Sequence, residues 1–194
     1  FEASILPPFT SDEEMALLPP SSFSYLTIVD AGSSGCRAHV FRYGRLGHEK
    51  GPLYIVPKHV SLKVKPGLSS FKDKPIEAGQ SLKGLIDFMK ENVPQDKYST
   101  TPIWLKATAG LRMLNTNTAN AILTSVRNFL SNNNMQNTHS KTDSSTTTSS
   151  GSNTNVDNPF LFRPEWAKVI SGQEEGATGW LAFNYLMRLI GPKD

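Results

Sequence analysis

Three short segments combine small residues, hydroxyls and carboxylates at spacings that suit phosphate chemistry. The first is Asp30-Ala-Gly-Ser-Ser-Gly35, which closes the β-branched and aromatic run beginning at Ser24. A strand there would deliver Asp30 to its C-terminal end, where one carboxylate can hold Mg2+ or Ca2+ directly or through water. Gly32 and Gly35 permit a tight turn whose N–H groups face phosphate oxygens, and Ser33 and Ser34 add hydroxyl donors. The competing reading is an ordinary hairpin turn, because a second strand begins at once.

The second segment, Ala107-Thr-Ala-Gly-Leu-Arg112, follows a short apolar strand and precedes a helix. Thr108 can donate to a terminal phosphate, while Ala109 and Gly110 allow close backbone approach. Arg112 pairs either with phosphate or, more commonly at such a turn, with a structural carboxylate. The third is Ile170-Ser-Gly-Gln-Glu-Glu-Gly-Ala-Thr-Gly179. Acids such as Glu174 and Glu175 are favoured in the first turn of any helix. A glutamate at a strand–helix junction aimed across a phosphate cradle can also orient and deprotonate an attacking water. Phosphoryl transfer asks mainly for positioning and charge neutralisation, so hydroxyls, amides, a metal and one base suffice.

The elements that must position these residues follow from periodicity. Strands are expected at 24–30, at about 36–43 with Ala38, Val40 and Phe41 as apolar positions, and once within 53–64. Leu82, Leu85, Ile86 and Met89 fall at i, i+3, i+4 and i+7, which predicts an amphipathic helix over 76–91, stopped by Pro94. Ile103, Trp104 and Leu105 form a short strand, and Ile122, Leu123, Val126, Phe129 and Leu130 mark a helix over 117–131. A last strand carries Trp166, Val169 and Ile170, followed by a Ser171–Gly176 turn and a helix to about Ile190. This order predicts an α/β lobe whose sheet opens as an antiparallel meander and continues with parallel strands. The ribonuclease-H-like superfamily of actin, Hsp70 and the sugar kinases shares that order, though order alone says little about chemistry.

Two stretches fall outside this pattern. Residues 1–22, with Pro7, Pro8, Pro19 and Pro20, read as a leader or linker. Residues 132–158 read as a disordered insertion, because 13 of the 16 residues at 140–155 are Ser, Thr or Asn. The 194 residues otherwise suffice for one domain with a real core. A net charge of +3 is too small and scattered to indicate nucleic-acid binding. Arg42, Arg45, Lys50, Lys58, Lys63 and Lys65 read as a solvated basic surface. The single cysteine, Cys36, excludes an internal disulfide in this piece and reads as a buried inert thiol. No run approaches the length of a spanning helix, and the start at Phe1 reads as that of a fragment, which leaves room for a signal or anchor upstream.

Taken together, the three motifs resemble the first three conserved regions of the apyrase, or nucleoside triphosphate diphosphohydrolase, family. Lys65-Pro-Gly-Leu-Ser-Ser70 also resembles a segment of that family's first lobe, and the likeness runs in order over about 24–190. The resemblance implies hydrolysis of nucleoside di- and triphosphates by direct attack of water, without a phosphoenzyme. It implies Glu175 as the proton acceptor, with Gly32, Ser33, Ser34, Gly35, Thr108, Ala109 and Gly110 around the phosphate. Asp30 would hold Mg2+ or Ca2+ through water, with Gln173 a candidate for a metal-bound water and Glu174 structural. It also implies a second lobe, absent here, that carries the fourth motif and the base-stacking aromatics. Members work in the secretory pathway or outside the cell, often membrane-anchored. An exopolyphosphatase, an actin- or Hsp70-like ATPase and a non-catalytic phosphate-binding piece are the alternatives. The 194 residues alone are therefore expected not to hydrolyse nucleotides efficiently. Phosphate release by the purified chain that depends on Mg2+ or Ca2+ and is lost in Glu175→Gln would contradict this.

Overall fold

In the computed structural model, which describes residues 23–45, 53–56, 59–131 and 158–186, the central strand is β1, Ser24–Gly32. Its side chains alternate: Tyr25, Thr27, Val29 and Ala31 are buried, Leu26 and Ile28 are half-exposed, and Asp30 is exposed. A strand with one covered face requires that period of two. Antiparallel to it runs β2, Gly35–Arg45, which puts Cys36, Ala38 and Val40 on the same covered face. Phe41 falls on the other face, opposite Leu26.

The third strand expected within 53–64 is two strands, β3 (Leu53–Ile55) and β4 (Val60–Val64). Both pair with the outer edge of β2, with Tyr43 opposite Ile55 and Val40 opposite Val60. Three steps along β2 thus face five along its partner, and the surplus residues interrupt the ladder. On the other side of β1, β5 (Ile103–Ala107) and then β6 (Ala167–Val169) lie parallel. The antiparallel meander and the parallel strands stand as expected for a ribonuclease-H-like lobe.

Helices α1 (Glu77–Gln80), α2 (Lys83–Asn92) and α4 (Thr116–Ser131) supply the apolar side chains that join the covered face in one core. On α4 these are Ile122, Leu123, Val126, Phe129 and Leu130, a stripe at helical spacing. The single helix expected over 76–91 is broken at Ser81 and Leu82. Ser125 of α4 donates to Ile76 O and accepts from Gly79 N, tying α1 down separately from α2. Val93 takes extended φ −116, ψ 133, as the residue before Pro94 must, and α2 ends there. Two short elements complete the site: α3 (Ala109–Arg112) follows β5, and α5 (Gly172–Leu186) follows β6. The turn expected over Ser171–Gly176 is therefore helical from Gly172. Residues 187–190 of the expected last helix, the leader 1–22 and nearly all the expected insertion lie outside the described residues.

One residue assigned to the insertion belongs to the core. Asn158 is buried; its amide donates to Leu130 O at 2.6 Å and its carbonyl accepts from Phe160 N at 3.2 Å. Phe160 meets the edge of Tyr98, and Leu161 bridges to the chain entering β5. Buried Thr27 is likewise satisfied, with its hydroxyl and its N–H both donating to Pro102 O. Leu85, fully buried on α2, is expected to cost about 2–5 kcal/mol when cut to alanine. Exposed Met113→Ala should stay within about 0.5 kcal/mol. Urea unfolding of both variants checks the placement of the core.

Candidate phosphate-binding and water-activating site

The three motifs sit where β1, β5 and β6 end, on the same edge of the sheet. Gly32 pairs with Gly35, so Ser33 and Ser34 form a two-residue hairpin turn. The hairpin reading is correct as geometry, and what lies beneath the turn makes it more than a connection. A Cβ on Gly67 would stand 2.5 Å from both Gly32 O and Ser33 O. One on Gly110 would stand 2.9 Å from Ser33 Cα and 3.1 Å from Ser69 Oγ. Thr108 N also donates to Ala31 O at 3.3 Å. Three loops far apart in sequence are thereby held at van der Waals distance. The result gathers four hydroxyl residues: Ser33, Ser34, Ser69 and Thr108. Thr108 precedes α3 and its hydroxyl makes no capping hydrogen bond.

The paired glutamates have separate jobs. Glu174 completes a capping box with Ser171: Ser171 N donates to Glu174 Oε2 at 2.9 Å, and Glu174 N donates to Ser171 Oγ at 3.0 Å. Its other oxygen accepts from Lys168 Nζ at 2.7 Å. These bonds, the one to Lys168 first, hold the Glu174 carboxyl below its ordinary range. Glu175, turned about 100° around the helix, instead faces the second motif. Arg112 Nη2 donates to Glu175 Oε2 at 2.8 Å while Nη1 donates to Ile170 O at 2.8 Å. Of the two partners open to Arg112, the structure shows the carboxylate. Both partners are partly exposed, so the pair adds little stability. Its consequence is orientation: one guanidinium ties Glu175 and the end of β6 to the loop bearing Thr108.

Asp30 is exposed at the end of β1, in register with Arg37 on β2 and Lys106 on β5. Among the described residues no cluster of three or more His, Cys, Asp or Glu is placed to cage a metal. One carboxylate among hydroxyls fits a hydrated Mg2+ or Ca2+ that shares its shell with phosphate oxygens. The flanking cations favour an ion that arrives with its anion. Gln173 is exposed on the first turn of α5, and no hydrogen bond joins it to Asp30 among the described residues.

Gly67 and Ser69, within the Lys65–Ser70 segment but not among the candidate residues of the sequence, lie against the same turn and loop. A different opening, a cleft of about 770 Å3, lies between the sheet's uncovered face and α5. It is lined by Trp104, Lys106, Lys168, Glu174 and Thr178 among others, and by no residue of Gly32–Gly35, Gly67–Ser69 or Thr108–Gly110. Its apolar walls and its place on the Glu174 side set it apart from the cradle. Beneath the turn, Cys36 is fully buried, and burial raises its thiol to about 11, against a smaller opposing effect of the Leu68 N–H. Cys36 should react with a thiol reagent at neutral pH only as fast as the protein unfolds. Rapid labelling of the folded chain would show the turn to be loosely packed.

This geometry can be set beside known proteins. The model of the GDA1/CD39 (nucleoside phosphatase) family matches residues 17–147, which take in the first two motifs. An apyrase from Solanum tuberosum is 36% identical over 177 residues, 90% of this chain and 33% of that protein. A guanosine-diphosphatase from Schizosaccharomyces pombe is 33% identical over 169 residues, 87% of this chain and 25% of that protein. The chain thus spans a third or less of the length of these relatives. A crystal structure of nucleoside triphosphate hydrolases from Neospora caninum superposes with a TM-score of 0.56 at 19% identity. It covers 88% of this chain and 32% of the solved one, and supports the fold. On the family match and these identities, the chain belongs to the GDA1/CD39 (nucleoside phosphatase) family.

Proposed function

We propose that this lobe supplies the phosphate cradle and the water-activating base of a nucleoside di- and triphosphate phosphohydrolase. The observation that carries the proposal is the Arg112 clamp, which fixes the Glu175 carboxylate against the loop bearing Thr108. In this reading Ser33, Ser34 and Thr108 donate hydroxyl protons to the departing phosphoryl group, and the small residues Gly32, Gly35, Ala109 and Gly110 let backbone amides approach it. The Glu175 oxygen not engaged by Arg112 accepts a proton from the attacking water, and Arg112 prevents the carboxylate from swinging away. Asp30, with Gln173 assisting through water, would hold Mg2+ or Ca2+, whose chemistry here is charge neutralisation on the phosphate oxygens. Glu174 takes no part beyond starting α5.

The base-selecting wall of the cleft is assigned to a second lobe. Trp180, Leu181 and Phe183 on α5 are all more than half exposed, which supports the reading that this lobe packs against further chain. The same reading puts the protein in the secretory pathway or outside the cell. Among the described residues no helix is long and apolar enough to cross a membrane.

The two glutamates give the test, in the intact two-lobed protein. Glu175→Gln should lower phosphate release from UDP or ATP by about 10²–10⁴-fold. Glu174→Gln should keep most of the activity, because glutamine also completes a capping box. Equal losses in the two variants would remove Glu175 from its role. Faster release from polyphosphate than from nucleotides would move the enzyme to the exopolyphosphatases.

A further inference from the structure

The basic residues between Arg42 and Lys65 read in sequence as a solvated surface, but Lys63 does not behave as one of them. It lies on β4 opposite Arg37, with a stem long enough to reach the β1–β2 turn. Its Nζ donates to Ser34 Oγ at 2.9 Å. The β4 backbone explains why the turn closes with glycine, and the lysine stem adds to the crowding. A Cβ on Gly35 would stand 2.7 Å from Lys63 Cε and 2.5 Å from Val64 O. Any other residue at position 35 would push the lysine stem off the turn and crowd the β4 backbone.

Its contact differs from those of three other cations near the cradle, and Lys63 alone of these reaches the β1–β2 turn. Arg112 is engaged by Glu175 and Lys168 by Glu174. Lys106 lies over the Trp104 ring, with its nitrogen 4.8 Å from the ring centroid. Lys63 holds a neutral hydroxyl. Its positive charge is therefore uncompensated within that contact, and two of its three N–H groups remain to be used. The hydroxyl it touches belongs to the turn that faces the phosphate in the proposed function.

We propose that Lys63 is a phosphate-binding residue, gripping the terminal phosphoryl group of the substrate jointly with Ser34. This inference rests on the phosphate-cradle reading and adds a cation to a site otherwise built from hydroxyls and amides. An ammonium acts there as a point charge with rotatable donors, suited to an anion whose oxygens rearrange during transfer. Hydrogen bonds to charged groups are the stronger class. Lys63 would turn from Ser34 towards the phosphate without β4 having to move.

The test is titration of the full chain with inorganic pyrophosphate, followed by 31P and amide NMR, which detect millimolar binding. Lys63→Gln is expected to weaken binding about tenfold and to flatten its dependence on salt. Lys63→Arg should recover most of the loss, and Ser34→Ala should weaken binding in the same range. Lys63 is exposed on an edge strand, so an unchanged amide spectrum of the free Lys63→Gln protein confirms that it folds. Wild-type and Lys63→Gln chains binding equally would overturn the Lys63 role and leave the cradle reading standing. Loss in Lys63→Gln but none in Ser34→Ala or Thr108→Val would put the anion elsewhere, against the joint grip. No pyrophosphate binding by the wild-type chain would overturn both.

Discussion

The site depends on one steric constraint: the main chain of Ser33 lies against two residues that have no side chain. Gly67 and Gly110 come from segments 34 and 77 residues further along, and a methyl group on either would overlap the turn. The proposed gathering of hydroxyls follows from that contact. It brings Ser69 and Thr108 beside the serines of the turn, and it buries Cys36 directly below. The hydrogen bond from Thr108 N to Ala31 O ties the same loops from the other side. Backbone contacts of this kind have little freedom to relax, so the main chain that carries the hydroxyls is held in place before any ligand arrives. Preorganised donors of this sort are the largest contribution available to a reaction that mostly moves charge between oxygens.

Electrostatics then divides labour among groups that look alike. Two adjacent glutamates face different partners because one residue along a helix is a turn of about 100°. Lys168 and Ser171 absorb Glu174 into the helix start, while Arg112 holds Glu175 towards the cradle. The exposed position of the Arg112 pair limits its worth to stability and leaves geometry as its effect. Two of the basic groups around the site, Arg112 and Lys168, are engaged in such contacts. Asp30 at the strand end and Lys63 beside Ser34 have no ion-pair partner among the described residues, and they are the groups proposed to meet a metal ion and a phosphate.

Much of this was legible in the sequence, and for identifiable reasons. Strands β1, β2 and β5 and helix α4 announce themselves because each has one covered face, and burial imposes periods of two or 3.6. The motif residues could be named because small residues, hydroxyls and carboxylates at element ends have few other uses in combination. Long-range geometry could not be read. Nothing local tells that Gly67 supports Ser33, that Arg112 reaches across to α5, or that Lys63 crosses Gly35. The break in the helix at Ser81 and the split of the third strand also escaped, since each is set by contacts with a distant partner, α4 in one case and β2 in the other. Asn158 looked like the end of a polar insertion, yet its amide satisfies a carbonyl at the end of α4.

In the proposed function phosphate binds in the cradle of glycine-supported loops and not in the apolar cleft beside Trp104. The most direct measurement is the map of backbone amide shifts in the chain as a nucleoside diphosphate and Mg2+ are added. On that reading perturbations are expected at Gly32–Gly35, Gly67–Ser69, Thr108–Gly110 and the first turn of α5. Shifts concentrated instead around Trp104, Lys106 and Lys168, with the glycine loops unmoved, would contradict it.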